Sequence, residues 1–302
     1  MPRRRLVRLG LAFLVLAVLF VAAGPVGTWL REGPAPDALP DAVAGRFVDV
    51  DGQRVHVVEL GAGPPIVLLH GFGGTTCDWE EHVMPALAAH HRVVALDLFG
   101  NGWSARSPSF HYGWPLWASQ IAGVLDALGL ARATIAGHSM GGGAAAYFAA
   151  HRPDRVERLV LADALYPLED AEISAPFRLL ATPVLGETAL GLVGGIGAPG
   201  ISARCAAHSA PTYAIAGSRA GWLGYLRDPA RRPELAEAYR AITVPTLAIH
   251  GTADTFVPLA AMRRTAPALP DVRIVELEGG NHFPHRDAPE RLVREIESFV
   301  AP

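Results

Sequence analysis

Short apolar runs that end in small-residue turns, each followed by a helix-like stretch, recur along this chain and constrain its fold more than any other feature. Pro65–His70, Arg92–Asp97, Ala133–His138, Val156–Ala162, Thr246–His250 and Arg273–Leu277 read as strands. Runs such as "PIVLLH" lack a polar alternation, which suits strands buried on both faces of a sheet. Trp79–Ala89, Pro115–Leu128, Ser139–His151, Ala260–Ala268 and Pro289–Val300 read as helices. Repeated strand–helix units build a doubly wound, mostly parallel sheet with helices on both faces, so the chain is read as an α/β protein. Ahead of these units, Phe47–Val50 and Arg54–Leu60 read as a hairpin turning at Asp51-Gly52. The alternation breaks between residues 164 and 240, a stretch rich in Gly, Pro and Ala with no clear strand. The reading is an α/β core of residues 45–163 and 241–302 with an inserted helical cap at 164–240. The Gly-rich "GLVGGIGAPG" inside that insertion has no strand before it and reads as a flexible segment.

The N-terminus is a separate feature. Arg3, Arg4, Arg5 and Arg8 precede an uncharged run from Leu9 to Leu30. About 20 apolar residues in a helix cross the ~30 Å hydrocarbon layer of a bilayer. Residues 1–30 therefore read as a transmembrane signal anchor. The arginines stay inside, and the folded domain lies on the extracytoplasmic side. The alternative is secretion after cleavage near Val21-Ala22-Ala23. Residues 31–44, with several Pro and Asp, read as a linker.

Composition excludes several classes. Half of the 302 residues are hydrophobic, which is ample for a core, and the net charge is only −3. No basic stripe is available to neutralise phosphates, so nucleic acid is not an expected partner. Cys77 and Cys205 have no C-x-x-C spacing, which argues against a cysteine-type zinc site and a disulfide scaffold. A single disulfide between them is compatible with a domain outside the cytoplasm. No histidine pair has zincin spacing, and no G-x-G-x-x-G or P-loop joins a strand to a helix. No metal or organic cofactor is expected.

The chemistry centres on Gly137-His138-Ser139-Met140-Gly141, a G-x-S-x-G stretch where a strand gives way to a helix. A serine hydroxyl is a weak nucleophile unless a base, an orienting acid and oxyanion donors surround it. Open α/β sheets gather such groups at the carboxyl ends of their strands. That criterion selects Asp254 in "GTADTFVP", just past one strand, and His282 in "GGNHFPH", just past the next. It also selects "HGFGG", residues 70–74, whose turn can aim a backbone N–H at an oxyanion. Ser139 is thus the candidate nucleophile, His282 the base and Asp254 the acid, with the N–H groups of Phe72 and Met140 as oxyanion donors. Asp163, which also ends a strand, is the rival acid and His285 the rival base. His70 and His250 end strands before glycine and read as structural, and Asp97 as holding the turn "LFGNGWS". His138 either faces the insertion or packs.

The order serine, aspartate, histidine resembles the α/β-hydrolase family, whose order is nucleophile, acid, histidine. The resemblance spans roughly Gly45 to Val300 and rests on five segments in order: "LLHGFGG", "VVALDLFGNGWSARSP", "GHSMGG", "GTADTFVP" and "GGNHFPHRDAPE". It implies the same triad and oxyanion assignments and a helical cap over the site. Epoxide hydrolases and haloalkane dehalogenases of the family carry aspartate at the elbow, so Ser139 argues against both. What remains is acyl transfer to serine, with carboxylic ester hydrolysis expected first. The apolar insertion and the anchor suggest a small hydrophobic or lipidic acyl substrate. The alternatives are carbon–carbon bond hydrolysis of vinylogous diketone ring-cleavage products, and a binding protein of the same fold without catalysis. "GHSMGG" is similar to the elbow of the carbon–carbon hydrolases, though that subgroup often has asparagine where His138 stands.

Overall fold

The computed structural model describes residues 32–183, 185, 186, 189 and 201–301. The expected anchor at 1–30 and the Gly-rich segment at 191–200 lie outside the described residues. Among the described residues, no helix is long and apolar enough to cross a membrane.

Eight strands form one sheet: β1 (Arg46–Val50), β2 (Gln53–Leu60), β3 (Pro65–Leu69), β4 (Arg92–Leu96), β5 (Ala133–His138), β6 (Val156–Ala162), β7 (Thr246–Gly251) and β8 (Val272–Leu277). Their order is β1-β2-β4-β3-β5-β6-β7-β8. The hairpin β1–β2 and the β2–β4 pair are antiparallel, and every later pairing is parallel. Side chains alternate between two apolar layers, as the two-residue period of a strand requires. Val67, Leu69, Val94 and Leu96 face a layer built with Trp114, Trp117 and the helix Met140–His151. Ile66, Leu68, Val93 and Ala95 face the opposite layer with Trp79, Met84, Leu292 and Ile296.

The helix expected at Trp79–Ala89 is two short ones, Cys77–Glu80 and Val83–Leu87. Pro85 explains the division, because its ring would strike the carbonyl of Glu81 four residues earlier in a continuous helix. Between β6 and β7 the described chain is helical, with helices at Ala175–Ala181, Ala203–Ser209, Ser218–Arg227 and Arg231–Ala241. A disulfide joins Cys77 to Cys205 of the second of these. Part of the stretch read as a linker lies along this insertion: the Gly33 N–H donates to Ala214 at 2.8 Å, and the Ala216 N–H to Gly33 at 2.8 Å.

A buried polar junction fixes the loop after β4. The Asp97 carboxylate accepts from the N–H groups of Thr76 (2.7 Å) and Trp103 (2.8 Å). It also accepts from His56 Nδ1 at 2.8 Å, while His56 Nε2 faces the Ala44 carbonyl at 2.8 Å. Both ring nitrogens of His56 therefore meet acceptors, which calls for a proton on each. Burial opposes that charge, yet the Asp97 carboxylate outweighs it and raises the His56 pKa. Burial likewise opposes charge on Asp97, and His56 more than compensates, holding its carboxyl well below the usual range.

Candidate active site

Ser139 sits at the junction of β5 and the helix Met140–His151 with φ 51° and ψ −117°. A non-glycine residue with positive φ is uncommon and persists only where its surroundings over-determine it. Here the Ser139 N–H donates to Ala162 at 3.2 Å, and the Ser139 carbonyl accepts from Leu165 at 2.8 Å and Gly143 at 3.1 Å. The flanking glycines follow from close approach. A Cβ on Gly137 would lie 2.3 Å from the Gly141 carbonyl oxygen, and one on Gly141 would lie 2.4 Å from that of His70.

His282 reaches Ser139 from the loop after β8. Its Nε2 lies 3.0 Å from Ser139 Oγ and its Nδ1 lies 2.7 Å from Asp254 Oδ2. A carboxylate accepts only, so Nδ1 carries the hydrogen and Nε2 is left to receive the serine proton. The loops after β7 and β8 are joined by a bond from the Ala253 N–H to Gly280 at 2.9 Å. Asp254, whose side chain is fully buried, also accepts from the N–H groups of Phe256 (2.7 Å) and Val257 (2.9 Å). His250 Nε2 lies 3.3 Å from the same carboxylate. Burial alone would raise the Asp254 pKa; hydrogen bonds from His250 and His282 outweigh it and hold the group ionised.

The rivals occupy other places. Asp163 directly follows β6 with φ 43°, and its Oδ1 accepts from the Gly251 N–H at 2.8 Å, fastening the end of β6 to β7. Burial pushes its carboxyl upward and the charge of Asp254 adds to that, against the pull of His250 and the Gly251 N–H. His285 is buried against Trp79 and His138, with ring centroids 5.1 and 4.5 Å away. His70 accepts from the Leu98 N–H at 3.0 Å and faces the Gly71 carbonyl at 2.7 Å, and His250 faces the Val257 carbonyl at 2.9 Å. Both are tied to backbone.

The Phe72 and Met140 N–H groups have no hydrogen-bond partner among the described residues. Met140 opens its helix, where the macrodipole favours negative charge. Phe72 is held by aromatic rings of the insertion: Phe177 at 5.7 Å, Trp222 at 5.8 Å and Tyr225 at 6.3 Å. Above Ser139 and Met140 lies a cavity of about 380 Å³, walled by Phe72, Leu165, Phe177, Tyr225, Phe256 and Val257 among others. Phe177 and Tyr225 belong to the insertion, and no local pattern in the sequence marks them as pocket residues.

Asp163, Asp254 and His282 offer ligand atoms within 4.8 Å of one another, as do Cys77, Glu80 and His208. In the first set Asp254 and His282 are bonded to each other and Asp163 Oδ1 to the Gly251 N–H, and the Cys77 sulfur of the second is committed to its disulfide. Neither set presents three free donors. The arrangement is suited to nucleophilic attack by Ser139 Oγ on an electrophilic carbon in a largely apolar chamber.

Comparison with known proteins agrees with this fold. A model of the alpha/beta hydrolase fold matches residues 64–183. Haloalkane dehalogenase 2 of Mycobacterium tuberculosis is 31% identical over 278 residues, covering 87% of this chain and 96% of that one. 2-Hydroxy-6-oxo-2,4-heptadienoate hydrolase of Pseudomonas putida is 42% identical over 127 residues, 41% of this chain and 46% of that one. The structure of a meta-cleavage product hydrolase from Pseudomonas fluorescens IP01, complexed with acetates, superposes with a TM-score of 0.70 at 25% identity, covering 85% of this chain and 97% of that one. By sequence, architecture and the disposition of Ser139, His282 and Asp254, the chain belongs to the alpha/beta hydrolase fold family.

Proposed function

We propose that this chain is a serine hydrolase that cleaves carboxylic esters of hydrophobic acyl groups through an acyl-enzyme. The observation that carries the reading is the contact of Ser139 Oγ with His282 Nε2 at 3.0 Å beneath a largely apolar cavity. His282 takes the Ser139 proton as Oγ attacks the carbonyl carbon. The tetrahedral oxyanion is received by the Phe72 and Met140 N–H groups. Collapse expels the alcohol, which takes the proton from His282 and leaves an acyl-serine. Water, deprotonated by His282, attacks the acyl carbon, and the proton returns to Ser139 as the acid departs. Asp254 fixes the imidazole tautomer and stabilises its cation.

The likeness to a haloalkane dehalogenase does not favour halide displacement, because the family's dehalogenases carry aspartate at the position of Ser139. Carbon–carbon bond hydrolysis is the second reading, supported by the 42% identity to 2-hydroxy-6-oxo-2,4-heptadienoate hydrolase over 127 residues. A panel of p-nitrophenyl esters of increasing acyl length, run beside a dienone ring-cleavage product with Ser139→Ala as control, separates the two. Ester turnover lost in Ser139→Ala supports the first reading, and turnover of the dienone alone overturns it. We further propose that residues 1–30 anchor the chain with the hydrolase domain on the extracytoplasmic side. Fractionation tests this: an intact chain containing Met1 in membranes supports anchoring, and a shortened chain in the medium contradicts it.

A further inference from the structure

His138 is the last residue of β5, immediately before Ser139, and only 2% of it is exposed. Its Nε2 lies 2.6 Å from the backbone carbonyl oxygen of His282. A carbonyl only accepts, so Nε2 carries a hydrogen. No other hydrogen bond among the described residues engages that carbonyl. The His138 ring centroid is 4.8 Å from that of His282. Gly71, next to the oxyanion donor Phe72, leaves the space that the other ring nitrogen occupies: a Cβ there would lie 2.8 Å from His138 Nδ1. One buried ring thus touches the nucleophile elbow, the oxyanion turn and the loop that carries the base.

We infer that His138 is a positioning residue for the triad, its Nε2–H holding the His282 backbone so that the imidazole stays between Ser139 and Asp254. The loop leaves β8 through Gly279, with φ 69°, and Gly280, which is tied to Ala253, and the His138 bond holds it again at His282 itself. Electrostatics agree with the role. Burial, together with the neighbouring His285 and His282, keeps the His138 pKa well below that of a free histidine. Burial does the same for His285, with Arg286 and His282 adding to it. Both rings stay neutral, so neither opposes the positive charge that His282 acquires when it takes the serine proton. The inference rests on the reading of Ser139, His282 and Asp254 as catalytic, but not on the identity of the substrate.

The test uses the folded full chain in three forms: wild type, His138→Phe, which keeps a ring and loses the donor, and His138→Gln, which restores an N–H donor. The readouts are the rate of fluorophosphonate labelling at Ser139, kcat and KM on whichever substrate the wild type turns over, and the melting temperature. The Phe variant should label and turn over at least tenfold more slowly with KM within twofold, and the Gln variant should recover most of the loss. A purely structural role would lower the melting temperature and leave the rate of the folded fraction unchanged. Wild-type rates in folded His138→Phe, or a Gln variant no better than Phe, overturn the inference. Should the variants not fold, ¹⁵N NMR of the wild-type histidines decides. His138 as an Nε2–H tautomer that does not titrate between about pH 5 and 9 supports the bond, whereas an Nδ1–H tautomer or a titrating ring overturns it. This measurement needs no turnover, so it stands apart from failure of the triad reading, which would show as wild-type protein that does not label.

Discussion

Cys77, three residues beyond the "HGFGG" turn, is bonded to Cys205 on a helix of the insertion, closing a span of 128 residues. A cross-link over so long a span restricts the unfolded chain by on the order of 4–5 kcal/mol in the loop-entropy account. Reduction, or the Cys77→Ser/Cys205→Ser double variant, should lower unfolding free energy by several kcal/mol, read as an earlier denaturant midpoint. Equal midpoints for oxidised and reduced protein would contradict the cross-link. Its presence fits the proposed extracytoplasmic placement, since disulfides persist in oxidising compartments.

Asp163 and Asp254 both lie near His282, and their carboxyl pKa values are pushed in opposite directions. Burial and Asp254 push Asp163 toward its neutral form, whereas Asp254 is held ionised by its hydrogen bonds. Asn resembles a protonated carboxyl in shape and charge, so Asp163→Asn should keep kcat within about tenfold of wild type. Asp254→Asn removes the charge that supports the imidazolium and should cost roughly 10⁴-fold in kcat. Steady-state kinetics on the two variants check the assignment, and the reverse ranking would make Asp163 the acid.

The His56–Asp97 pair predicts a pH-dependent stability. Because the folded His56 pKa is raised, its contribution is complete below the unfolded histidine value of about 6.5. It is lost as pH rises through the folded value. The lowered Asp97 pKa acts in the other direction: its contribution is present above the ordinary carboxylate value and is lost only as pH falls through the depressed one. His56→Gln should therefore cost most between those limits, about 3–5 kcal/mol for breaking a buried pair. The gap in melting temperature between wild type and variant should narrow above neutral pH. A gap that stays constant from pH 6 to 10 would mean that His56 is not charged in the fold.

The sheet was legible because its parallel strands are buried on both faces and so appear as uninterrupted apolar runs such as "PIVLL". Ser139, Asp254 and His282 were legible because each lies just past a strand, and strand ends converge in this topology. The helix break at residues 81–82 was visible in Pro85 but overridden by the helical pattern around it. Contacts made far along the chain left no local mark. His138 and His282 are 144 residues apart, and nothing near either reveals the bond between them. Phe177 and Tyr225 reach the cavity through the packing of an insertion whose sequence shows no motif that sets them apart.

The central claim is that Ser139 is a nucleophile activated by His282. Active-site labelling with a fluorophosphonate, followed by peptide mass analysis, tests it most directly. Covalent modification of Ser139 that disappears in Ser139→Ala and slows by roughly 10⁴-fold or more in His282→Ala is the expected result. Well-folded wild-type protein that takes up no label at Ser139, or labelling at full rate in His282→Ala, would contradict it.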